Sequence, residues 1–454
     1  MPDRRDDLDS WLEGRIDPLP PPPGTFELIK KRARHRKYRK LAVGAGAAAV
    51  IVAAAVAVPQ MVNLPVLNPP AAAPAANGGS ATSAPSASRG ADSASSASSA
   101  QALPAPVFAP VPGNFRPSSV TFVSTKTGWV IGQAGTPGHC ASPYCTSVAW
   151  TLDAGATWHG LPAPLTGPAD GATGVSQIRF LNGVNGWAFG PQLYATHDGG
   201  HGWAQVSTGG LRVTDLETVG DRAFALFASC TGTGAAFAAD CTSYTLYSSP
   251  AAADKWTPVG AATSGLVGGA AAMVLTGTRG YLLAPDRMLY SGPVRGGAWQ
   301  PAARIPCAVG QPLADGQPTG ALLAAASGGK LVLVCASSSV PGTQQAKQVY
   351  TSANGGLTWQ HAGAGPNLGL ATSVAATASG TYVLATGQGI DVRPAGSTTW
   401  QAATLTGPAP AGGFGYVGMT TDAQGIALPA NPAVGTVWFT FDGGRTWQPF
   451  PVSS

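Results

Sequence analysis

The chain has 454 residues, of which 44% are hydrophobic and only 10% are charged, with 61 glycines and 40 prolines. This apolar and aromatic content excludes a fully disordered chain, and the abundance of glycine and proline favours short strands and turns over long helices. The net charge of +5 does not indicate a nucleic-acid-binding body, because residues 1–40 hold 11 Lys/Arg against 7 Asp/Glu whereas residues 105–454 hold 14 against 13.

The N-terminal part of the sequence predicts a membrane anchor. Residues 1–40 are charged and end in a basic run, and residues 41–58 carry no charged or polar side chain. Since about 20 apolar residues cross a bilayer, we predict a transmembrane helix over 41–62. A cleaved signal peptide and a buried Ala-rich helix are the alternatives. The positive-inside rule places 1–40 in the cytoplasm and the rest of the chain outside, as a single-pass protein of the cell membrane.

Residues 63–104 consist mainly of Ala, Ser, Pro and Gly and contain no aromatic residue. This composition is typical of a flexible, disordered linker. The Ala/Gly/Pro/Arg bias and the style of the charged tail resemble those of membrane proteins from high-GC actinobacteria.

Residues 105–454 contain a repeated eight-residue unit of the form Thr-x-Asp-x-Gly-x-x-Trp. The clear copies span 151–158, 196–203 and 440–447, and a fourth at 352–359 has Asn354 in place of the aspartate. Weaker copies keep only the final tryptophan: Trp256, Trp299 and Trp400. Five of the seven units also have an aromatic residue nine positions before that tryptophan: Tyr194, Tyr247, Tyr290, Tyr350 and Trp438.

Short apolar runs separated by turns precede each unit, as in residues 119–132 and 176–190. Each repeat therefore predicts four antiparallel strands in about 40–50 residues, which is the pattern of a β-propeller blade. Seven units predict an all-β, seven-bladed β-propeller over 105–454. Because the last repeat has four strands of its own, we expect the ring to close by packing between the first and last blades.

The eight-residue unit resembles the Asp box of the BNR repeat, which occurs in sialidases, sortilin-type receptors and photosystem-assembly propellers. The resemblance implies that the acidic or amide residue accepts backbone N–H groups within a hairpin turn, that the glycine supplies a conformation free of Cβ, and that the tryptophan packs between blades. The residues in these structural roles are Asp153, Gly155, Trp158, Asp198, Gly200, Trp203, Asn354, Gly356, Trp359, Asp442, Gly444 and Trp447.

Alternating strand direction places the Asp-box turns on one face of the propeller. The longest insertions, at about 134–145, 229–243 and 336–347, fall between the second and third strands and so lie on the opposite face. Variable loops on a rigid scaffold commonly bind ligands. We therefore predict that the binding surface is the face opposite the Asp boxes.

All six cysteines follow residue 105, which outside the membrane indicates disulfides. Six cysteines allow 15 pairings; the sequential one is favoured because the first two pairs bracket single loops: Cys140–Cys145, Cys230–Cys241 and Cys307–Cys335. A zinc site is the rival interpretation, but Cys140 and Cys145 lack the close spacing of a strong site, and His197 and His201 lie in a turn. We predict no metal and no cofactor.

A sialidase-like site would need three arginines, a Tyr–Glu pair and a further acid. The body has one glutamate, Glu217, and the candidate arginines include Arg116, Arg179, Arg212, Arg304 and Arg393. The FRIP motif of sialidases is absent apart from a fragment at 115–117, and no pair of carboxylates stands out as a glycosidase requires. There is no GxSxG, HExxH or phosphate-loop motif. We predict no catalytic residue.

These observations predict a non-catalytic recognition or scaffold propeller, tethered to the membrane, that binds a protein or glycan of the cell envelope. One alternative is a sialidase-like glycoside hydrolase. Another is a transmembrane sensor or regulator whose tail, residues 8–37, binds a cytoplasmic partner.

Overall fold

The computed structural model describes residues 109–453 except 137–138, 141–144, 170–171, 232–240, 268–270, 308–319 and 338–343. The predicted cytoplasmic segment 1–40, transmembrane helix 41–62 and linker 63–104 lie outside the described residues and stay predictions. Within the described part, no helix is long and apolar enough to cross a membrane.

The described residues form seven antiparallel sheets of four consecutive main strands each, which confirms the predicted all-β, seven-bladed propeller. Blade 1 contains β1 (Arg116–Phe122), β2 (Gly128–Gln133), a small ladder of β3 (Gly135–Thr136) and β4 (His139–Cys140), and then β5 (Thr146–Thr151) and β6 (His159–Leu161). Blade 2 contains β7 (Gln177–Phe180), β8 (Gly186–Phe189), β9 (Leu193–Thr196) and β10 (Ala204–Gln205). Blade 3 contains β11 (Arg212–Val219), β12 (Arg222–Cys230), β13 (Cys241–Pro250) and β14 (Thr257–Pro258), and β15 (Leu266–Val267) also pairs with β13.

The remaining four blades follow the same plan. Blade 4 contains β16 (Ala272–Leu275), β17 (Arg279–Leu283), β18 (Met288–Pro293) and β19 (Gln300–Arg304). Blade 5 contains β20 (Ala321–Ala325), β21 (Leu331–Ala336), β22 (Lys347–Ser352) and β23 (Gln360–Ala364). Blade 6 contains β24 (Ala371–Ala376), β25 (Tyr382–Thr386), β26 (Gly389–Arg393) and β27 (Gln401–Ala402). The last blade contains β28 (Thr404–Leu405), which pairs in parallel with its outermost strand, and then β29 (Phe414–Met419), β30 (Gly425–Pro429), β31 (Thr436–Thr440) and β32 (Thr446–Pro451). Short 3-10 turns occur at Ala261–Thr263, Ser327–Gly329 and Pro432–Val434.

The hydrophobic core lies between blades. Seven clusters of buried side chains each combine residues of two neighbouring blades. The tryptophan that ends each repeat unit packs in the cluster shared with the preceding blade, and these residues are Trp158, Trp203, Trp256, Trp299, Trp359, Trp400 and Trp447. The 41- to 60-residue spacing of the tryptophans in the sequence thus reflects one interface per blade.

The ring closes by packing between the first and last blades. Val130 of β2 and Trp158 share a buried cluster with Val437 and Phe439 of β31. On the turn side, Gln424 Nε2 donates a hydrogen bond of 2.9 Å to the backbone oxygen of Thr125. No main strand is shared between the two blades, so burial of apolar side chains is the main source of closure.

The first strands of successive blades contact one another around the central axis. Their free edges are satisfied by side chains of the neighbouring blade. Ser119 Oγ accepts from the backbone N–H of Ile178 at 3.2 Å, and Ser373 Oγ accepts from that of Val417 at 3.2 Å. These bonds remove the unpaired edge that would otherwise invite another strand.

Lys347, at the start of β22, is fully buried. Its Nζ donates to the backbone oxygens of Gln345, Pro366 and Gly369 at 3.0, 2.7 and 2.7 Å. The ammonium group therefore ties the connector between blades 5 and 6 to the edge of β22. A buried lysine is tolerated here because its donors are all paired.

Candidate functional site

The four clear repeat turns, which we call the box turns (151–158, 196–203, 352–359 and 440–447), share one hydrogen-bond pattern. In the first of them, Thr151 Oγ1 donates to Asp153 Oδ1 at 2.8 Å and accepts from Gly155 N–H at 2.9 Å. Asp153 Oδ1 also accepts from the N–H of Thr157 at 2.9 Å. Equivalent bonds hold the other three, including the one built on Asn354. The Thr or Ser hydroxyl group and the Asp or Asn side chain of each box turn are therefore hydrogen-bonded within the turn.

Local geometry explains the residue types in these turns. Their glycines have positive φ, a conformation that L side chains rarely adopt: Gly155 (86°), Gly200 (97°), Gly356 (84°) and Gly444 (95°). Although burial opposes ionisation, hydrogen bonds within the turns lower the pKa of three carboxyl groups: Asp153, Asp198 and Asp442. These carboxylates act in the turn itself, not as proton donors to a ligand.

The two faces of the propeller are defined by their turns. On the box face, each box turn bonds to the turn between the first and second strands of its blade, as Ala154 N–H does to Lys126 O and Gly355 N–H to Gly329 O. On the opposite side, the loop face, the loops between second and third strands meet the connectors between blades. Gln345 N–H, for example, donates to Asn367 O.

The disulfides lie on the loop face. Cys230–Cys241 closes one long loop, and Cys307–Cys335 joins a connector to the end of β21. Cys145 is also disulfide-bonded, whereas the side chain of its predicted partner, Cys140, lies outside the described residues. The centres of the three long insertions also fall among the undescribed residues.

The charged side chains of the described residues are distributed unequally between the two faces. Thirteen charged side chains that reach solvent lie on the box face: Lys126, Asp153, Asp198, Asp221, Arg222, Asp254, Lys255, Arg279, Arg295, Lys330, Asp422, Asp442 and Arg445. Four lie on the loop face: Arg116, Asp286, Arg287 and Arg304. The described loop face also exposes large apolar side chains: Leu165, Val267, Leu368, Leu370 and Val434. Depletion of charge around exposed apolar side chains is typical of the core of a protein interface.

A polar cluster lies on the innermost strands, at the central channel. Arg179 of β7 donates through Nε to Glu217 Oε1 of β11 at 3.1 Å, and the two side chains are 15% and 29% exposed. Arg179 also donates to the backbone oxygen of Ile178 at 3.0 Å. Glu217 therefore neutralises an arginine of the preceding blade.

Asp215 adds a second carboxylate to this cluster. It follows a β-bulge in β11 and accepts the backbone N–H of Met273, in blade 4, through Oδ2 at 2.8 Å. Burial and the negative charge of Glu217 raise the pKa of Asp215 to about 7, against the opposing effects of Met273 N–H and Arg179. Arg179 stays positively charged, because the negative charge of Glu217 raises its pKa further although burial opposes ionisation.

Tyr416, from the innermost strand of blade 7, completes the cluster. Its ring centre lies 6.0 Å from Cζ of Arg179, so the tyrosine reaches past blade 1 toward blade 2. The ring packs along its own strand over Gly418, where a Cβ would lie 2.5 Å from the tyrosine oxygen. Sequence reasoning identified Arg179 and Glu217 as candidates but missed Asp215 and Tyr416. The alternation Asp-x-Glu in β11 was the available signal for Asp215.

Two of the five candidate sialidase arginines lie away from the innermost strands. Arg393 lies on β26 and donates to the backbone oxygens of Ser397 and Ala362. Arg304, on the outermost strand of blade 4, donates to Asp286 O. Arg179 forms an ion pair with Glu217.

The histidines of the second box turn serve local structure. His197 Nε2 lies 2.7 Å from Asp254 Oδ2, and His197 Nδ1 lies 2.7 Å from Asn185 Oδ1. His201 Nδ1 lies 2.8 Å from the backbone oxygen of Asp198. Within the described residues, no group of three His, Cys, Asp or Glu side chains has the arrangement of a metal site.

No protein-family model matches the chain, and no curated protein is similar to it. Among solved structures, YCF48 bound to a D1 peptide is 16% identical, with 73% of this chain and 95% of that chain covered at a TM-score of 0.45. Sqt1 of Saccharomyces cerevisiae is 11% identical, with 74% and 85% covered at 0.43. A GH74 enzyme of Niastella koreensis is 12% identical, with 74% and 65% covered at 0.37. At these low TM-scores, the assignment of seven blades rests on the strand pairing of this chain.

Proposed function

We propose that this protein is a non-catalytic BNR-type propeller that binds a protein or glycan of the cell envelope through its loop face. The observation that best supports this proposal is the distribution of charged side chains. The described loop face has four charged side chains that reach solvent and five exposed apolar ones, whereas the box face has thirteen charged side chains. The hydrogen-bonded box turns support the BNR assignment. They also support a rigid box face and a more variable loop face.

Membrane attachment is part of the proposal. The apolar segment 41–62 and the basic run before it support a single-pass anchor with the N-terminus in the cytoplasm and the propeller outside. Protease added to intact cells should then remove the propeller and leave the N-terminal segment protected. Protection of the C-terminal body would contradict this topology.

The binding face is tested by site-specific photo-crosslinking of the full chain in the cell that produces it. A photoreactive phenylalanine replaces Leu165 or Val267 on the loop face, or Val184 or Leu357 on the box face, all of which are exposed apolar positions. We expect discrete adducts of higher mass from the loop-face positions and none from the matched box-face positions. Adducts from the box face alone, or from neither face, would overturn the assignment.

The channel cluster is the place to test the glycosidase alternative, because it holds two neighbouring carboxyl groups, one with a raised pKa. A glycosidase needs one carboxyl group free to donate a proton and a second to act as base or nucleophile. Here Glu217 pairs with Arg179 and Asp215 accepts a backbone N–H. Purified protein that hydrolyses a sialoside, with loss of that activity in Glu217→Gln at unchanged fold, would replace the binding function by the glycosidase alternative.

A further inference from the structure

The turn between the third and fourth strands of blade 6 departs from the repeat in a specific way. Seven residues before the final tryptophan, the box turns have Thr or Ser, whereas blade 6 has Arg393. Five residues before it, the box turns have Asp or Asn, whereas blade 6 has Ala395. At this pair of positions, blade 6 therefore carries a positive charge, whereas three of the box turns carry a negative charge.

Arg393 is held in a fixed position at the seam between blades 5 and 6. The residue is only 8% exposed. Its Nε donates to Ser397 O at 2.7 Å and its Nη1 to Ala362 O of blade 5 at 3.2 Å. The ring centre of Tyr382 lies 5.9 Å from Cζ. Since a guanidinium group has five N–H donors, further donors stay available after these two bonds.

A cavity of about 270 Å³ opens beside this arginine on the box face. Its lining combines Arg393 with Lys330 of blade 5 and with hydroxyl and amide groups of both blades, and it contains no Asp or Glu. Lys330 is exposed, and neither cation takes part in the two ion pairs of the described residues. The polar groups of the lining include Thr351, Gln360, Tyr382, Ser397 and Thr398.

We propose that this cavity, the blade 5–6 pocket, binds a compact oxyanion: a phosphate, sulfate or carboxylate group of a small molecule or a single sugar residue. Arg393 supplies directional N–H donors, Lys330 supplies a mobile charge at the rim, and the hydroxyl groups complete the hydrogen bonding. The volume of about 270 Å³ lies just below that of small-molecule sites, which start at about 300 Å³, so the pocket suits one anionic group and not a polymer. This site lies on the opposite face from the proposed loop-face surface and does not depend on it.

Isothermal titration calorimetry of the full chain in detergent tests the pocket. Sodium phosphate, sodium sulfate and sodium acetate are the probes, each at constant ionic strength. We expect saturable binding of at least one of them in the millimolar range or tighter, and the preferred probe identifies the class of oxyanion. Because a charge-assisted hydrogen bond contributes about 1.5–3 kcal/mol, Lys330→Gln should weaken binding roughly tenfold or more and Arg393→Gln should abolish it.

Lys126→Gln is the matched control, since Lys126 is another exposed lysine on the box face. It should leave the affinity unchanged. Lys330→Gln alters an exposed side chain, so its result holds even if Arg393→Gln fails to fold. The proposal is overturned if no probe binds saturably, if Lys330→Gln binds as well as the unchanged protein, or if Lys126→Gln loses affinity to the same degree.

Discussion

Replacing the channel carboxylate Asp215 by asparagine should make the protein more stable at neutral pH. The carboxylate occupies the position after a β-bulge, and the equivalent position in blades 1 and 6 has Ser119 and Ser373. The neutral hydroxyl groups accept the backbone N–H of the next blade just as Asp215 accepts that of Met273. The amide oxygen of the introduced asparagine would keep this bond without a half-buried charge next to Glu217, so Asp215→Asn removes only the cost of ionisation.

The size of the effect follows from the pKa. Burial and the charge of Glu217 raise the pKa of Asp215 to about 7 in the folded protein, against about 3.9 in an unfolded chain. Between these values the folded state binds more protons than the unfolded state, so stability falls as the pH rises. With roughly 1.4 kcal/mol for each pKa unit, the full difference is of order 4 kcal/mol. We expect a smaller measured difference, because Asp215 is only partly buried and solvent screens its charge.

Urea denaturation at pH 4, 5.5 and 7.5, followed by tryptophan fluorescence, measures this difference. The free energies of unfolding of Asp215→Asn and of the unchanged protein should agree near pH 4 and diverge toward pH 7.5 in favour of the variant. Ser373→Ala, which removes the equivalent neutral hydroxyl, is the control and should show no such pH dependence. A variant that is less stable than the unchanged protein at pH 7.5 would refute the reasoning, because it would mean that Arg179 holds Asp215 as a favourable charge.

Three further predictions concern the scaffold and are checked by thermal or chemical unfolding and by thiol labelling. Gly356→Ala should destabilise the protein by about 1–3 kcal/mol more than Gly209→Ala. Both glycines have positive φ, but only at Gly356 would a Cβ meet a neighbouring atom, Leu289 Cδ2, at 2.1 Å. Equal losses of stability in the two variants would contradict the packing argument. Asp442→Ala should lower the free energy of unfolding by about 1–3 kcal/mol, since Asp442 Oδ1 accepts from Thr440 Oγ1 and from the N–H groups of Arg445 and Thr446. An unchanged melting temperature would show that the turn forms without its carboxylate. The reduced, denatured chain should label with six thiol equivalents and the native chain with none; free thiols in the native protein would contradict the disulfides.

The propeller could be predicted because its signals are local and repeated. Each tryptophan marks one interface between blades, and each aspartate or asparagine of a clear unit marks one tight turn, so seven weak patterns reinforce one another. The assignment of faces followed from strand alternation alone. It correctly placed Cys230–Cys241 and Cys307–Cys335 on the loop side.

The channel cluster could not be predicted in the same way. Asp215 and Tyr416 both follow β-bulges, and a bulge shifts which side chains face the axis without a distinct sequence signal. Arg179, Glu217 and Tyr416 come from three blades, so their meeting depends on the ring as a whole. Lys347 was missed because a lysine at the start of a strand normally reaches solvent, whereas here its ammonium group donates to the backbone oxygen of Gln345 and to those of Pro366 and Gly369 in the connector.

Both charged sites arise where one blade departs from the plan that its neighbours share. At the bulge position of the innermost strand, blades 1 and 6 use a serine and blade 3 uses Asp215; at the first position of the turn, the box turns use Thr or Ser and blade 6 uses Arg393. At the bulge position, a neutral serine accepts the same kind of backbone N–H in two other blades, so the scaffold does not require the charge of Asp215. Arg393 instead donates to backbone oxygens, a role that the Thr or Ser of the box turns does not have. A charge that folding does not require, placed beside other ionisable groups at a channel or a pocket, is better explained by what it binds than by stability. The blade 5–6 pocket and the channel are therefore the two places where charged side chains depart from the architecture that the blades share.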